Sequence, residues 1–400
     1  MALSMRDHPL VRFHDFRRFF AARFVSSIGD KLFTIALSWW AVNDAGPNGP
    51  MHLGFLMGLT LLPAVVLGPI SGVMADRFSR RSCMILSDFA RLLVMVLMTF
   101  LLVKGSMSIP AMYVLVLLLS SFMPLFEAAA NGSLEALTDQ GSLASAAAVN
   151  SSVVELSNVI GAALGGIALA VLGTAGAFGI NGVTFCLSLL FICMVKNPLR
   201  PDTRPSEGRM SEALSWLVKN RDVLGYLCLF GGLNFFAAPL MVSVPMMVKF
   251  GFDGPVSWVA YLEASLASGA VLTAFLVSFI SEGKVSLRVF GGVALTGLSL
   301  GAFGLSPGLA VALVAVFVAG AGLALVNAAA MAYFQRRVPD HMRGRFFAVL
   351  TAVAYSVMPL ALMLNGVVSQ IWSIRSILAL DGVVVFALGF FVWLIPNFEP

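Results

Sequence analysis

The chain has 400 residues, 59% of them hydrophobic and only 11% charged, with a net charge of +5 and a mean hydropathy of +0.93. Soluble domains carry about 25% charged residues, so these proportions exclude a soluble enzyme and point to a protein built into the bilayer. The positive balance is no nucleic-acid footprint: it follows the topology derived below, and nucleic acid is not an expected partner.

A helix needs roughly 20 apolar residues to cross the hydrocarbon core. Twelve such spans are predicted, near 19–42, 53–74, 83–103, 108–128, 147–172, 176–195, 223–247, 258–280, 287–304, 308–330, 346–370 and 376–396. The "RRFFAARF" ahead of span one resembles a twin-arginine signal, but Asp30 and Lys31 interrupt the apolar run and no small-residue cleavage site follows. It reads as the start of a permanent helix. At about 100° per residue, Arg23, Ser27, Asp30 and Thr34 share one face of span one, with Ser26 at its edge. A charge at bilayer centre costs at least about 2.5–3.5 kcal/mol on insertion scales, so this stripe faces protein or water. Lys31 points roughly 100° away from Asp30, and Arg23 lies about 10 Å along the axis, so neither is a simple partner. Two readings of Asp30 stand: an interhelical ion pair that fixes packing, or a cavity carboxylate that binds a proton or a cationic group of the substrate. Burial in general disfavours an ionised carboxyl, which is what equips such a group to carry a proton.

Between spans two and three runs "GVMADRFSRR", Gly72 to Arg81. Gly72 sits one helical turn before Asp76, where it allows a neighbouring helix to approach. Asp76 ends the span, where it can face a helix N-terminus or a basic residue. Arg77, Arg80 and Arg81 suit the anionic inner leaflet. In span three, Asp88 and Arg91 have the i, i+3 spacing of a pair. Glu127 falls at the end of span four, within reach of water. Span five carries Glu155 and the GxxxG pair Gly161 and Gly165, a helix-contact face.

The only extended polar stretch, 196–222, divides the spans into six and six: an N-terminal bundle over 1–195, a linker, and a C-terminal bundle over 223–400. A shift of 200 residues lays "INGVTF" over "LDGVVV", Gly166 over Gly366 and Asn181 over Asp381, which indicates a parallel repeat. Asn234, Pro239 and Pro245 mark span seven as a helix that bends. Glu263 lies a few residues inside span eight. Between spans ten and eleven, "QRRVPDHMRGRFFAVL" places Arg343, Gly344 and Arg345 just after Pro339-Asp340, which suits a loop before a helix start. Cys83, Cys186, Cys193 and Cys228 all fall in spans without a CxxC pair and read as packing residues. His8, His14, His52 and His341 fall in loops or termini, so no metal site is expected.

The Gly72–Arg81 loop resembles the signature loop of the major facilitator superfamily, with Ser79 in place of the commoner glycine. Together with "SSIGDKLFTIAL", "EALSWLVKNR" and Gln335–Leu350, nearly the whole chain resembles the branch of macrolide-efflux and enterobactin-exporter-like proteins. "GAALGG", Gly161 to Gly166, departs from it at Ala162, where the branch often has proline. The resemblance implies an all-α membrane protein with twelve transmembrane helices in two pseudo-symmetric six-helix halves around a central cavity. It implies that spans one, five and eight line this cavity, so Glu155 and Glu263 join Asp30, Arg23 and Asn234 as proton or substrate candidates. It further implies a cytosolic gate role for Asp76 and its arginines. No G-x-x-x-x-G-K-[ST] loop is present, so ATP is not the direct energy source, and no cofactor is expected. The expected function is proton-coupled export of a small amphiphilic molecule, a drug or a siderophore-like metabolite, by a monomer in the inner membrane. An importer or lipid flippase on the same fold is the alternative. A membrane enzyme or receptor is disfavoured, because no catalytic His, Cys or Ser constellation lies at membrane depth.

Lysine and arginine placement sets the orientation. With the N-terminus in the cytosol, nineteen basic residues lie in cytosolic segments and only Lys104, Lys249 and Arg375 on the opposite side. Both termini are therefore expected in the cytosol. A cytosol-active reporter fused after residue 205 or 400 should be active, and an outside-only reporter should work near Asn48 or Gly105. An outside-only reporter active at residue 205 would overturn the topology.

Overall fold

A computed structural model of the chain describes residues 9–139, 141–197, 199, 210–277, 279, 284–339 and 342–395. His8, Arg200, Arg204, Arg209, Asp340 and His341 lie outside the described residues, as does most of the linker ahead of residue 210. Every described element is a helix. In chain order these are α1 (Pro9–Arg12), α2 (His14–Asn43), α3 (Gly49–Arg77), α4 (Arg80–Val103), α5 (Ile109–Ser121), α6 (Met123–Leu137), α7 (Leu143–Cys193), α8 (Met210–Lys219), α9 (Arg221–Ala237), α10 (Leu240–Met246), α11 (Ser257–Val277), α12 (Val285–Gly304), α13 (Leu309–Arg337), α14 (Arg343–Val368) and α15 (Ile374–Phe390). Among the described residues, ten helical stretches are long and apolar enough to cross a membrane.

Three spans differ from the sequence expectation. Span four continues to Leu137 but breaks at Phe122, because Pro124 in the first turn of α6 cannot donate to the preceding turn. Spans five and six form one helical run of 51 residues, interrupted only at Gly173 with φ 67° and ψ −176°. As one straight helix it would reach about 76 Å, more than twice the hydrocarbon thickness. Gly173 divides it into two stretches of crossing length, and its left-handed φ is one that glycine adopts without strain. Span seven bends as expected: α9 stops at Ala237, α10 starts after Pro239, and a π-helical turn follows over Met247–Gly251. His52 lies in the first turn of α3 rather than in a loop.

The chain forms two compact units, residues 1–40 with 59–204 and residues 41–58 with 205–400. In the first, an apolar cluster of Phe16, Phe19, Met84, Phe126 and Ile192 packs the start of α2 against α4, α6 and the end of α7. Small residues set the approach of α2 to α7. A Cβ at Gly161 would sit 2.8 Å from the carbonyl oxygen of Ile28 and from Lys31 Cβ, and one at Gly165 would sit 3.2 Å from Leu32 Cα. The GxxxG pair is thus the contact face with α2. In the second unit, α12 and α15 meet backbone to backbone at Gly297 and Gly382. Of the four cysteines only Cys83 is buried; Cys186, Cys193 and Cys228 are exposed, so the expected packing role fails for three of them. An apolar side chain needs no protein partner where the helix face meets lipid.

Replacing Gly173 with Ala should destabilise the protein by about 1–3 kcal/mol, the cost of holding a residue with a Cβ in a backbone region that is essentially glycine's alone. Gly68 has open space around it, so Gly68→Ala should leave the thermal midpoint in detergent unchanged.

Candidate functional site

The polar stripe of span one meets two charged clusters inside the first unit. Arg23 on α2 donates from both terminal nitrogens to Glu127 on α6, at 3.1 and 2.8 Å. Arg91 on α4 donates to Asp88 Oδ1 at 2.5 Å and to Asp30 Oδ2 at 3.4 Å. Ser188 on α7 donates to the other oxygen of Asp88 at 2.6 Å. The Arg91 guanidinium lies 4.4 Å from the Phe185 ring centroid and 4.9 Å from that of Phe126.

Burial sorts these groups. The Arg91 and Asp88 side chains are 3% and 0% exposed, whereas Asp30 and Glu127 are 36% and 37% exposed. The arginines therefore stand behind, and two carboxylates stand in front. The bonded set holds two arginines and three carboxylates, one acid more than base. Asp88 takes the short contact to Arg91, and Asp30 is held at longer range with one oxygen free of the bridge. Asp30 is fixed in place by its neighbour in sequence: a Cβ at Gly29 would collide with the side chains of Thr184 and Asn181. Thr34 and Ser38 turn their hydroxyls back onto the carbonyls of Asp30 and Thr34, so the polar stripe is partly satisfied by its own helix.

The other sequence candidates separate from this set. Glu155 is exposed on α7 with no bonded partner among the described residues. Glu263 is half-buried on α11 in the second unit. Asn234 donates to the Phe230 carbonyl on its own helix, one turn before the α9 break. Asp88 and Arg91 pair as expected. Arg23 does not serve Asp30; it serves Glu127, which sequence depth alone assigned to water. Ser188, Phe126 and Phe185 were missed, because no periodicity marks which aromatic ring will cover a guanidinium.

The Gly72–Arg81 loop differs from expectation at its glycine. A Cβ at Gly72 would meet nothing within 4 Å, so no helix packs on it. Arg80 and Arg81 engage backbone carbonyls as well. Arg80 donates to the Gly132 carbonyl on α6, and Arg81 donates to the carbonyls of Ile192 at 3.3 Å and Cys193 at 2.6 Å, where α7 ends. A cation at a helix C-terminus satisfies carbonyls that lack an intrahelical donor. Ser79 caps α4 by accepting from the Ser82 N–H at 3.4 Å, a use for the residue that stands in the glycine position. Asp76 is 78% exposed, 4.0 Å from Arg80, and Arg77 is exposed. In the second loop, Arg343 donates to the carbonyls of Gln335 and Val338 at the end of α13, Gly344 lies in the first turn of α14, and Arg345 pairs with Glu212 on α8. A cluster that sequence reading overlooked lies nearby: Asp222 Oδ2 accepts from Arg337 at 2.6 Å and from the Tyr333 hydroxyl at 3.0 Å.

Residues 19–361 match the model of the Major Facilitator Superfamily. The chain belongs to that family. Among its curated relatives, the uncharacterized MFS-type transporter YfiS of Bacillus subtilis is 27% identical, over 88% of this chain and 85% of the relative. Macrolide efflux protein A of Streptococcus pyogenes is 23% identical over 94% of both chains. Enterobactin exporter EntS of Escherichia coli is 24% identical over 87% of this chain and 82% of its own. The fold is that of solved transporters: the nucleoside transporter NupG superposes with a TM-score of 0.79 at 12% identity, over 96% of this chain and all of that one. This Major Facilitator Superfamily member is thus a multi-pass membrane transporter and not an enzyme.

Arg91→Gln would leave Asp88 buried and unpaired, a change that costs about 3–5 kcal/mol. Folded protein recovered in detergent should fall sharply. The double variant Arg91→Gln/Asp88→Asn removes both charges and should recover most of that loss, which a double-mutant cycle of thermal midpoints would read out.

Proposed function

We propose that the protein exports a small amphiphilic molecule in exchange for protons, by alternating access of a twelve-span, two-halved bundle in the inner membrane with both termini in the cytosol. The observation that supports this reading is the make-up of the bonded cluster around Asp30. Three carboxylates face two arginines, and the extra acid falls to the side that Asp30 and Glu127 expose. A negative charge inside a membrane protein calls for a counter-charge. A proton on Asp30, or a cationic group of the substrate beside it, supplies one. Exchange of one for the other couples the two fluxes: whichever arrives displaces its competitor.

Export as the direction, and a drug or siderophore-like metabolite as cargo, rest on the efflux names of the relatives at 23–24% identity. The exposed Asp76, with Arg80 and Arg81 fastening α4 to its neighbours, supports a gate role for the Gly72–Arg81 loop: the acid is available while its arginines hold the loop's frame. The same cluster also fits import in the same exchange, so direction is decided by transport in vesicles of known sidedness.

Asp30→Asn keeps the shape and a hydrogen-bonding group and removes the charge. In proteoliposomes with an imposed pH gradient, uptake of a labelled macrolide or of iron-free enterobactin should fall to background in this variant, with expression retained. If the site carries the proton, gradient-independent exchange of the same label survives. If it holds a substrate cation, exchange fails too. Normal gradient-driven uptake by folded Asp30→Asn protein would refute both roles.

A further inference from the structure

At the end of the first unit where α2 begins and α7 finishes, the chain encloses a crevice of about 540 Å³. Its charged and imidazole lining comes from Arg12, His14, Asp15, Arg18 and Lys196, with Asn197 and Thr138 beside them. These residues fall immediately outside the predicted spans 19–42 and 176–195, which puts the crevice at the depth of lipid headgroups, not acyl chains.

The acid in the crevice is already fully engaged. Asp15 Oδ1 accepts from Arg18 at 2.9 Å, and Oδ2 accepts from the backbone N–H of Lys196 at 3.1 Å and of Asn197 at 3.0 Å. Burial works against its charge, but the N–H groups of Asn197 and Lys196 outweigh that and hold the carboxyl below its ordinary range. Across the opening, Arg12 pairs with Asp139 at 2.8 Å, and Arg18 also donates to the Met194 carbonyl at 2.8 Å. Asn197 is occupied as well, donating to the Ala136 carbonyl and accepting from the Leu199 N–H. Two groups remain unengaged: the Lys196 ammonium and the His14 imidazole are both exposed and have no bonded partner among the described residues. Arg12 and Arg18 are thus each paired with an acid, and the Lys196 ammonium is the positive charge left over, with the His14 imidazole on the same lining. Val11 and Met194 beside the crevice are exposed apolar side chains, a surface suited to acyl chains next to a basic mouth.

We propose that this crevice binds a phosphate group, with Lys196 and His14 in direct contact and Arg12 and Arg18 behind them, and that its depth makes the phosphodiester of an anionic phospholipid headgroup the occupant. The proposal rests on the cytosolic placement of this end of the bundle given above. Its consequence is mechanical: a bound headgroup bridges the start of α2 to the end of α7, at the foot of the helix that carries Arg23 and Asp30.

The test is a titration of dioctanoyl phosphatidylglycerol into the detergent-purified full chain, read as the thermal unfolding midpoint. Dioctanoyl phosphatidylcholine and sodium phosphate form parallel arms. The midpoint should rise saturably with phosphatidylglycerol and not with phosphatidylcholine. Lys196→Gln should weaken the apparent affinity by up to about fivefold, as expected for one cationic contact to an anionic headgroup, and His14→Ala, which removes a hydrogen-bonding side chain, should weaken it further, while Lys219→Gln, an exposed lysine on α8, should change nothing. A rise with sodium phosphate alone that is lost in the double variant supports the site and reassigns its occupant to soluble phosphate. No rise with either anion, or a phosphatidylglycerol effect of equal size in wild type and in Lys196→Gln/His14→Ala, overturns the proposal. The titration needs neither substrate nor gradient, so its failure leaves the transport reading standing, and normal transport by Asp30→Asn would leave this site standing.

Discussion

Arg91 is the constraint on which the first unit depends. A buried guanidinium carries a desolvation penalty of several kcal/mol, and the structure offsets it from four helices at once. Asp88 on its own helix neutralises the charge, the Phe126 and Phe185 rings lie against it, and Asp30 reaches it from α2. Cation–π contacts contribute about 2 kcal/mol each when desolvated. Asp88 and the rings take the close contacts to Arg91, and Asp30 is left with a long one at 3.4 Å and about a third of its surface open.

Helix packing delivers the geometry. Gly29, Gly161 and Gly165 let α2 and α7 approach until backbone meets side chain, which fixes the azimuth of α2 and so the direction of its polar stripe. Elsewhere, arginines bind the last carbonyls of α7 in the first unit and of α13 in the second. One physical device, a cation over a helix C-terminus, serves both loops that the sequence marks as basic. Residues that look topogenic in sequence therefore have a second task in the folded chain, and the two are compatible because a guanidinium has five donors.

Much of this was legible beforehand. Span positions followed from apolar length, the bend in span seven from Pro239 and Pro245, and the Asp88–Arg91 pair from helical spacing. The GxxxG face was legible because close approach demands small residues whatever their partner. What was not legible depended on which helices become neighbours. Arg23 and Glu127 are 104 positions apart, and only the packing of α2 on α6 brings them to one level. Gly72 misled for the same reason: a glycine permits contact but does not supply the helix that makes it. The run through Gly173 was missed because a single left-handed glycine can replace the loop that hydropathy expects.

The adjacency of Gly29 and Asp30 has an evolutionary consequence. A side chain at position 29 would meet Asn181 and Thr184, so a change there is felt at the acid next to it even when Asp30 itself is kept.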